Sequence, residues 1–500
     1  MMAEKMTGTI TAPRDRLILG AILLLALALR LPVMNGPLWY DEITTVDTHL
    51  KLGWGEMLTD YSMNHHYLHN FLAKATMDLF GPEPWAIRLP ALLFGLGSIW
   101  AIWALAKRVS SMCVAHATAL MMALSYHEIW FSTNARGYTG MAFFSLLALV
   151  LFLDGLKDGR TRTWVAFGLT LAAIIFTHLT GAFFVVALGL CWLILLVQAW
   201  RRGDLTRDLG LKPFLAFLGG GILTILLYLP LLPSLLKTVG GVAGTSAVDP
   251  MKEYQNPIWT AAEGLRTGVG GAGPAMVIAG LAVLATAAFG VWALRQRGPL
   301  VARVTIWHIV LTVAVLTLVG MRIWPRFFFT DIALILLLIT AGVAQICTLI
   351  ARLTGPKLGA ALFPGAVLLM ALVSAKLAVR NYDAPKQDMA GAFAFAEAHR
   401  AAGTRVYALA YSSDTFAAHF GADWGRISTE EDYARAMAAP GPVEFVVVFP
   451  DRSFRSFPAL DADRASGRLV ETAHFRGTLG DGDIFILARP DAAGEGASGG

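Results

Sequence analysis

Between residues 17 and 378 the chain is a succession of long apolar runs separated by short polar breaks. A helix needs about 20 apolar residues to cross the hydrocarbon of a bilayer. On that measure segments 17–34, 86–106, 112–126, 138–156, 164–178, 180–200, 213–232, 275–294, 304–321, 327–348 and 359–378 are expected spans, about eleven in all. Only His178 and Gly181 punctuate the pair 164–200. The first run follows basic residues and lacks a small-residue cleavage site, so a retained anchor is expected there and not a cleaved signal peptide.

From residue 384 the pattern changes. "DMAGAFAFAEAHRAAG" has helical periodicity, whereas "RVYALAY", "VEFVVVF" and "DIFILAR" are strand-like runs bounded by Gly and Pro, with helices expected at 413–421 and 429–439. The expected fold is a polytopic α-helical membrane domain over 1–380 followed by a small α/β domain over 384–490. Residues 491–500, "DAAGEGASGG", are expected to be a disordered tail. No phosphate-cradling glycine loop occurs in the α/β part, which assigns it no nucleotide chemistry.

Composition agrees with a bilayer protein. Of 500 residues 56% are hydrophobic and 15% charged, against about 25% charged in an average soluble domain; mean hydropathy is +0.59. The net charge of +5 does not point to nucleic acid, because the basic residues gather in short loops between apolar runs. Taking the N-terminus as cytoplasmic, the inside segments carry Lys5, Arg14 and Arg16, then Lys107 and Arg108, then Lys157, Arg160 and Arg162. They continue with Arg201, Arg202, Arg207 and Lys212, then Arg295, Arg297 and Arg303, then Arg352 and Lys357. This is the positive-inside pattern. It places the long loops 35–85 and 233–274, and everything after 380, outside the cytoplasm, as in a bacterial-type inner membrane. Within the first of these loops a helix-like stretch, 68–80, can lie in the membrane plane. The second, rich in glycine and containing Asp249, Lys252, Glu253 and Tyr254, suits either a mobile loop over a cavity or a plain connector. Cys113, Cys191 and Cys347 all fall in apolar runs and are expected to be buried thiols.

Ionisable residues near hydrocarbon depth are costly unless paired or functional, and here they collect toward the outer ends of the spans. "GPLWYDEITT" places Asp41 beside Glu42, a pair suited to general-base work with an orienting or metal-binding neighbour. "DYSMNHHYLHNFLAK" brings Asp60, His65, His66 and His69 together. That spacing fits an interfacial helix as well as a metal site and leaves a divalent cation open. "SYHEIWFSTNARGY" carries His127, Glu128, Asn134, Arg136 and Tyr138, and His178 ends a span. "MRIWPRFFF" sets Arg322 and Arg326 about Pro325, spaced to clamp a phosphate. Arg30 and Arg88, inside and opening the first two spans, are either structural or face the same cavity.

The ordered set "LRLP…GPLWYDEITT", "NHHYLHNFLAK…LFGPEPWAIRLPALLFGLGSIW", "SYHEIWFSTNARGY", "THLTGAFFV", "YLPLLP" and "WPRFFFTDIALILLL" resembles the polytopic GT-C glycosyltransferases of family 39. That group includes protein O-mannosyltransferases and the aminoarabinose transferase of lipid A. The resemblance covers residues from about 17 to 345. It implies a sugar taken from a polyprenyl-phosphate carrier on the outer leaflet and passed, with inversion, to an acceptor. It further implies Asp41 as catalytic base, Glu42 orienting it or helping to hold a cation, and Arg326 near the carrier phosphate. His65 matches the histidine of the family's "HPP" motif. Two departures stand out: His66 and Tyr67 replace the prolines, and Asn134 stands where many relatives have an acid. The second removes a second acid there, and no acceptor transfers from any relative. A transporter or flippase of an amphipathic glycolipid is the alternative expectation. It predicts inverted repeats with broken helices, and no internal repeat is evident.

Overall fold

The computed structural model describes residues 12–242, 246–271 and 273–490. The expected tail 491–500, Lys5, and residues 243–245 and 272 of the glycine-rich loop lie outside the described residues, as do the side chains of Asp249 and Lys357.

Helix α1 (Pro13–Arg30) opens the membrane part, and the first outer loop follows with α2 (Tyr40–Thr45) and α3 (Tyr67–Phe80). Next come α4 (Pro84–Val109), α5 (Met112–Leu124), the short α6 (Tyr126–Ser132), α7 (Tyr138–Asp158), α8 (Thr161–Thr177), α9 (Gly181–Arg202) and α10 (Arg207–Tyr228). The second outer loop is not a plain connector. It holds α11 (Leu232–Val242), a 3₁₀ segment (Ser246–Gln255) and α12 (Pro257–Val269), the last capped by the Asn256 side chain on the Ile258 and Trp259 amides. The bundle ends with α13 (Pro274–Leu294), α14 (Pro299–Leu318), α15 (Phe329–Thr354), α16 (Pro356–Ala378) and the single turn α17 (Arg380–Asp383).

Among the described residues, nine helices are long and apolar enough to cross a membrane. The expected segments 112–126 and 164–178 are the shorter apolar helices α5 and α8, of 13 and 17 residues. The core of the bundle is one cluster shared mainly by α4, α5, α7, α8, α9, α14 and α15. Proline opens six of these helices (α1, α4, α12, α13, α14 and α16), where its missing N–H costs nothing and its fixed φ suits the first turn. All three cysteines are unpaired. Cys191 and Cys347 are buried, but Cys113 is exposed, because it sits at the start of α5 on a face that no other helix covers.

The C-terminal part is an α/β domain. Helix α18 (Met389–Ala401) precedes β1 (Arg405–Leu409), which is followed by α19 (Ala410–Phe420), β2 (Gly425–Ile427), α20 (Glu430–Met437) and β3 (Val443–Val448). Helices α21 (Pro450–Ser456) and α22 (Pro458–Ala465) then lead to β4 (Val470–Phe475) and β5 (Ile484–Ala488). The sheet order is β2-β1-β3-β5-β4, with β2, β1 and β3 parallel and β5 and β4 antiparallel. β3 is buried along its whole length, as a central strand covered on both faces should be. One face packs on α18 and α19, together with Ile43 of the first outer loop, and the other on α20 and α22. The Ile43 contact ties the domain to the loop carrying Asp41.

Candidate active site

The Trp39–Glu42 segment is held from below by Arg88. Its guanidinium donates to both Glu42 oxygens (Nε to Oε1 2.8 Å, Nη2 to Oε2 2.6 Å) and to the carbonyls of Met34, Gly36 and Pro37 at 2.8–2.9 Å. The Ala135 amide donates to Glu42 Oε1 at 2.7 Å and the Trp39 amide to Oε2 at 3.3 Å. Glu42 and Arg88 are fully buried. A carboxylate so occupied fixes the first outer loop against α4 and the turn after α6. Arg88 beside it offsets burial and holds its carboxyl below the usual range.

Asp41, one residue earlier, faces a cavity of about 1360 Å³ together with Asn134, Tyr138, Arg322 and Arg326. Its Oδ2 lies 3.7 Å from Arg326 Nη1 and 3.8 Å from Arg136 Nη2. Among the described residues its carboxylate has no closer partner, so it is free to accept a proton from an incoming group. Arg136 is anchored behind it by Thr45 Oγ1 (3.3 Å), the Asn64 carbonyl (3.0 Å) and the Asn64 side chain. The Arg326 guanidinium lies over Trp324, 4.5 Å from the ring centroid, and its buried Nε has no partner. Arg322 stacks on the same ring at 5.6 Å. The two arginines therefore flank Trp324 where the extended chain passes into a 3₁₀ turn (Pro325–Phe328), not one turn apart on a helix. Away from these charges the cavity runs between α14 and α15, where Ile309, Val313, Ile332 and Ile335 line it. One end is charged and the other apolar.

Of the other expected residues His127 also lines the cavity, whereas Glu42, Arg88, Glu128, Arg30, His65, His66 and His178 do not. Glu42 and Arg88 are the buried pair described above, which places Glu42 in support of the loop and not at a reacting atom. Glu128 is completely buried, and neither carboxylate oxygen has a hydrogen-bond partner. Burial pushes its carboxyl up to about 8, with the Arg30 charge pulling the other way. Arg30 is buried too, donating to the carbonyls of Ala26 and Ala123. His65 bonds Asn70 through Nδ1 at 3.0 Å and stacks on Tyr67. His66 and His178 pack on each other and on Tyr138, and His178 Nδ1 lies 2.6 Å from Thr180 Oγ1. Burial, then the nearby Arg136 charge, lowers both imidazoles and keeps them neutral. They are a wall behind Tyr138 and Arg136. Asn134 spends its Oδ1 on Trp39 Nε1 at 3.0 Å and keeps a free Nδ2.

The cation left open by the sequence finds no ligand set among the described residues: no three His, Cys, Asp or Glu side chains converge. Asp41 is bracketed by guanidinium groups, and Glu42 is saturated by Arg88 and two backbone amides.

Several site residues carry no motif. Lys386 Nζ donates to the Thr133 carbonyl at 2.5 Å, and Gln387 Oε1 accepts from the Tyr40 amide at 3.3 Å. Two adjacent residues thereby hold both the Asp41 segment and the Asn134–Arg136 turn. Burial, with Arg88 nearby, pushes the Lys386 amine down to about 7 against the pull of Glu42. Tyr254, from the second outer loop, lies 4.2 Å from the Trp324 ring, and Phe449, Arg452 and Asp481 bring the α/β domain to the cavity.

Comparison with known proteins agrees with this architecture. A family described as dolichyl-phosphate-mannose-protein mannosyltransferase matches residues 64–233. No curated protein matches the sequence. The structure of ArnT from Cupriavidus metallidurans, solved both in the apo state and bound to undecaprenyl phosphate, is similar with a TM-score of 0.52. The identity is 13%, and the match covers 95% of this chain and 97% of that one. An oligosaccharyltransferase from Archaeoglobus fulgidus, tethered to an acceptor peptide, matches with a TM-score of 0.50 and 14% identity, over 96% of this chain and 74% of that one. The fold is that of the GT-C membrane glycosyltransferases, with a small C-terminal α/β domain.

Proposed function

We propose that the chain transfers a sugar from a polyprenyl-phosphate carrier to an acceptor, on the extracytoplasmic side of a bacterial-type inner membrane. The observation that carries this is the single cavity in which Asp41 lies 3.7 Å from Arg326 and which continues as an apolar slot between two membrane helices. A lipid-linked sugar phosphate has that same polarity: a charged head and a long hydrocarbon tail. Undecaprenyl phosphate bound in the similar ArnT structure supports it, and the basic loops at the opposite ends of the spans support the sidedness.

In this mechanism the carrier enters between α14 and α15 and its phosphate rests against Arg326, with Arg322 beside it. The acceptor hydroxyl or amine attacks the anomeric carbon from the face opposite the phosphate, inverting that centre. As the new bond forms, the bond from carbon to phosphate oxygen breaks, the acceptor proton passes to the Asp41 carboxylate, and the carrier departs as polyprenyl phosphate. Preplaced positive charge at the leaving group is typically worth about 10²–10³ in rate, and a general base about 10²–10⁴. Purified protein, a panel of polyprenyl-phosphate sugars and a readout of released polyprenyl phosphate test the proposal. Asp41→Asn should lose about 10²–10⁴ of turnover with melting unchanged. Near-normal turnover in that variant would remove Asp41 as the base, and unaltered donor dependence in Arg326→Ala would remove the phosphate role.

A further inference from the structure

The α/β domain presents a specific corner to the cavity. In an open sheet with parallel strands, ligands gather outside the carboxyl ends of the strands where the chain reverses its direction of travel. Here the chain runs from β1 out to β2 and then back across β1 to β3, so that point lies at the ends of β1 and β3. Phe449 follows β3 directly, in the left-handed region (φ 55°), and Asp481, from the loop before β5, is also left-handed (φ 59°). These are the only non-glycine residues with positive φ among the described residues, and both line the cavity. Strained conformations of this kind persist where surrounding structure enforces them, and they cluster at ligand sites.

What the strain holds in place is Arg452. Asp481 accepts from Arg452 Nε at 3.1 Å through one oxygen and from the Asp451 amide at 2.7 Å through the other. The Arg452 guanidinium lies over Phe449, 3.8 Å from the ring centroid, and Tyr40 meets that ring edge-on at 5.1 Å. Nε and one face of the guanidinium are thus engaged, while its two terminal nitrogens have no partner among the described residues. Arg322, which has no carboxylate partner among the described residues, is close enough to feel the charges of both Arg452 and Arg326. Of these three guanidinium groups Arg326 has the Asp41 carboxylate and Arg452 that of Asp481, and an anion between them would supply the partner that Arg322 lacks.

We propose that Arg452 is a donor-binding residue supplied by the C-terminal domain, gripping with Arg322 the phosphate of the lipid carrier (a diester in the sugar donor, a monoester once the sugar has left) that Arg326 holds from the membrane domain. The inference rests on the function proposed above and adds that the α/β domain touches the substrate.

The test is equilibrium binding of undecaprenyl phosphate, against undecaprenol as the uncharged control, to the full chain in detergent. Arg452→Gln keeps a donor for Asp481 but removes the charge; it should weaken undecaprenyl phosphate by about ten- to hundredfold and leave undecaprenol unchanged. Arg452→Lys should stay within about threefold of the parent protein, as should Arg435→Ala, which removes an exposed charge on the same domain. Unchanged phosphate affinity in Arg452→Gln, beside a loss in Arg326→Ala, overturns the inference and leaves the proposed function standing. No loss in either variant removes both. Should Arg452→Gln fail to fold, the unsubstituted protein decides: undecaprenyl phosphate should protect Arg452 from an arginine-directed dicarbonyl reagent, read by mass spectrometry. An equally modified Arg452 with and without the lipid also overturns it.

Discussion

Successive residues of a helix project about 100° apart, and at Asp41 and Glu42 that rotation separates two roles. Asp41 turns to the cavity, whereas Glu42 turns into protein and takes four hydrogen bonds. The motif was legible because acids rarely sit at a span boundary without cause, but no one-dimensional pattern says which of two adjacent acids points inward. The histidines were open for a related reason: the spacing of His65 and His66 fits an interfacial helix as well as a metal site, and in space His65 stacks on Tyr67 while His66 and His178 pack on each other and on Tyr138. Removing one partner of a buried ion pair typically costs about 3–5 kcal/mol, because the other charge is stranded. Arg88→Met should therefore lower the melting temperature sharply and abolish turnover, although Arg88 is not among the cavity's lining residues; thermal unfolding in detergent near that of the parent would refute this locking role. Glu128 gives a pH dependence. Its carboxyl is raised from 4.5 to about 8, so between those values the folded chain holds a proton that the unfolded chain has released. Stability from this group is fully present below about 4.5 and is lost as pH rises through 8. Glu128→Gln should flatten that decline, seen as a smaller drop in melting temperature between acidic and alkaline buffer than in the parent.

At the level of elements, apolar runs marked the long helices because each is longer than a soluble core helix needs to be. In the α/β domain the runs at β1, β3 and β5 were equally plain, since those strands are largely buried. β2 and β4 were not. β2 has three residues, and β4, "VETAHF", is an edge strand with no buried residue, so neither carries the apolar signal from which strands are read. The strap at Lys386–Gln387 was equally unreadable, because its partners lie about 250 and 350 residues away in sequence. The strap is clamped by the turn before β5: the Thr478 and Leu479 amides donate to the carbonyls of Pro385 and Lys386 at 2.9 and 3.1 Å. A Cβ on Gly477 would stand 2.5 Å from the Gly482 carbonyl oxygen and 2.8 Å from that of Lys386. Gly477→Ala should therefore push the strap away, and Lys386→Met should release it from Thr133. Since small misplacements of reacting groups can cost up to about 10²-fold in rate, both variants should lower kcat far more than donor affinity. A change confined to KM would mean the strap does not set the catalytic geometry.

Across the whole molecule, sequence showed that polar groups collect at one end of the bundle, but not that a second domain closes over them. Residues near 40, 134, 254 and 326 meet within the membrane part, and Arg452 joins them because α18–β5 docks on the first outer loop and on the 3₁₀ segment preceding α12. At the rim that docking is completed by Arg455 of α21 and Glu253 of the second outer loop, 2.9 Å apart, with the arginine half-exposed. Exposed pairs of this kind contribute at most about 1 kcal/mol. Reversing one charge turns a weak attraction into a comparable repulsion across the mouth. Arg455→Glu should accordingly raise donor KM by about fivefold at low ionic strength, the equivalent of about 1 kcal/mol, and less as salt screens the rim. The swapped pair Glu253→Arg with Arg455→Glu should restore the parent value, because it rebuilds the contact with its polarity inverted. A swapped pair as impaired as the single variant would instead mean that one of these side chains acts on the substrate by itself, and that the two halves of the cavity are held together without this pair, by contacts such as those of Ile43, Lys386 and Tyr40.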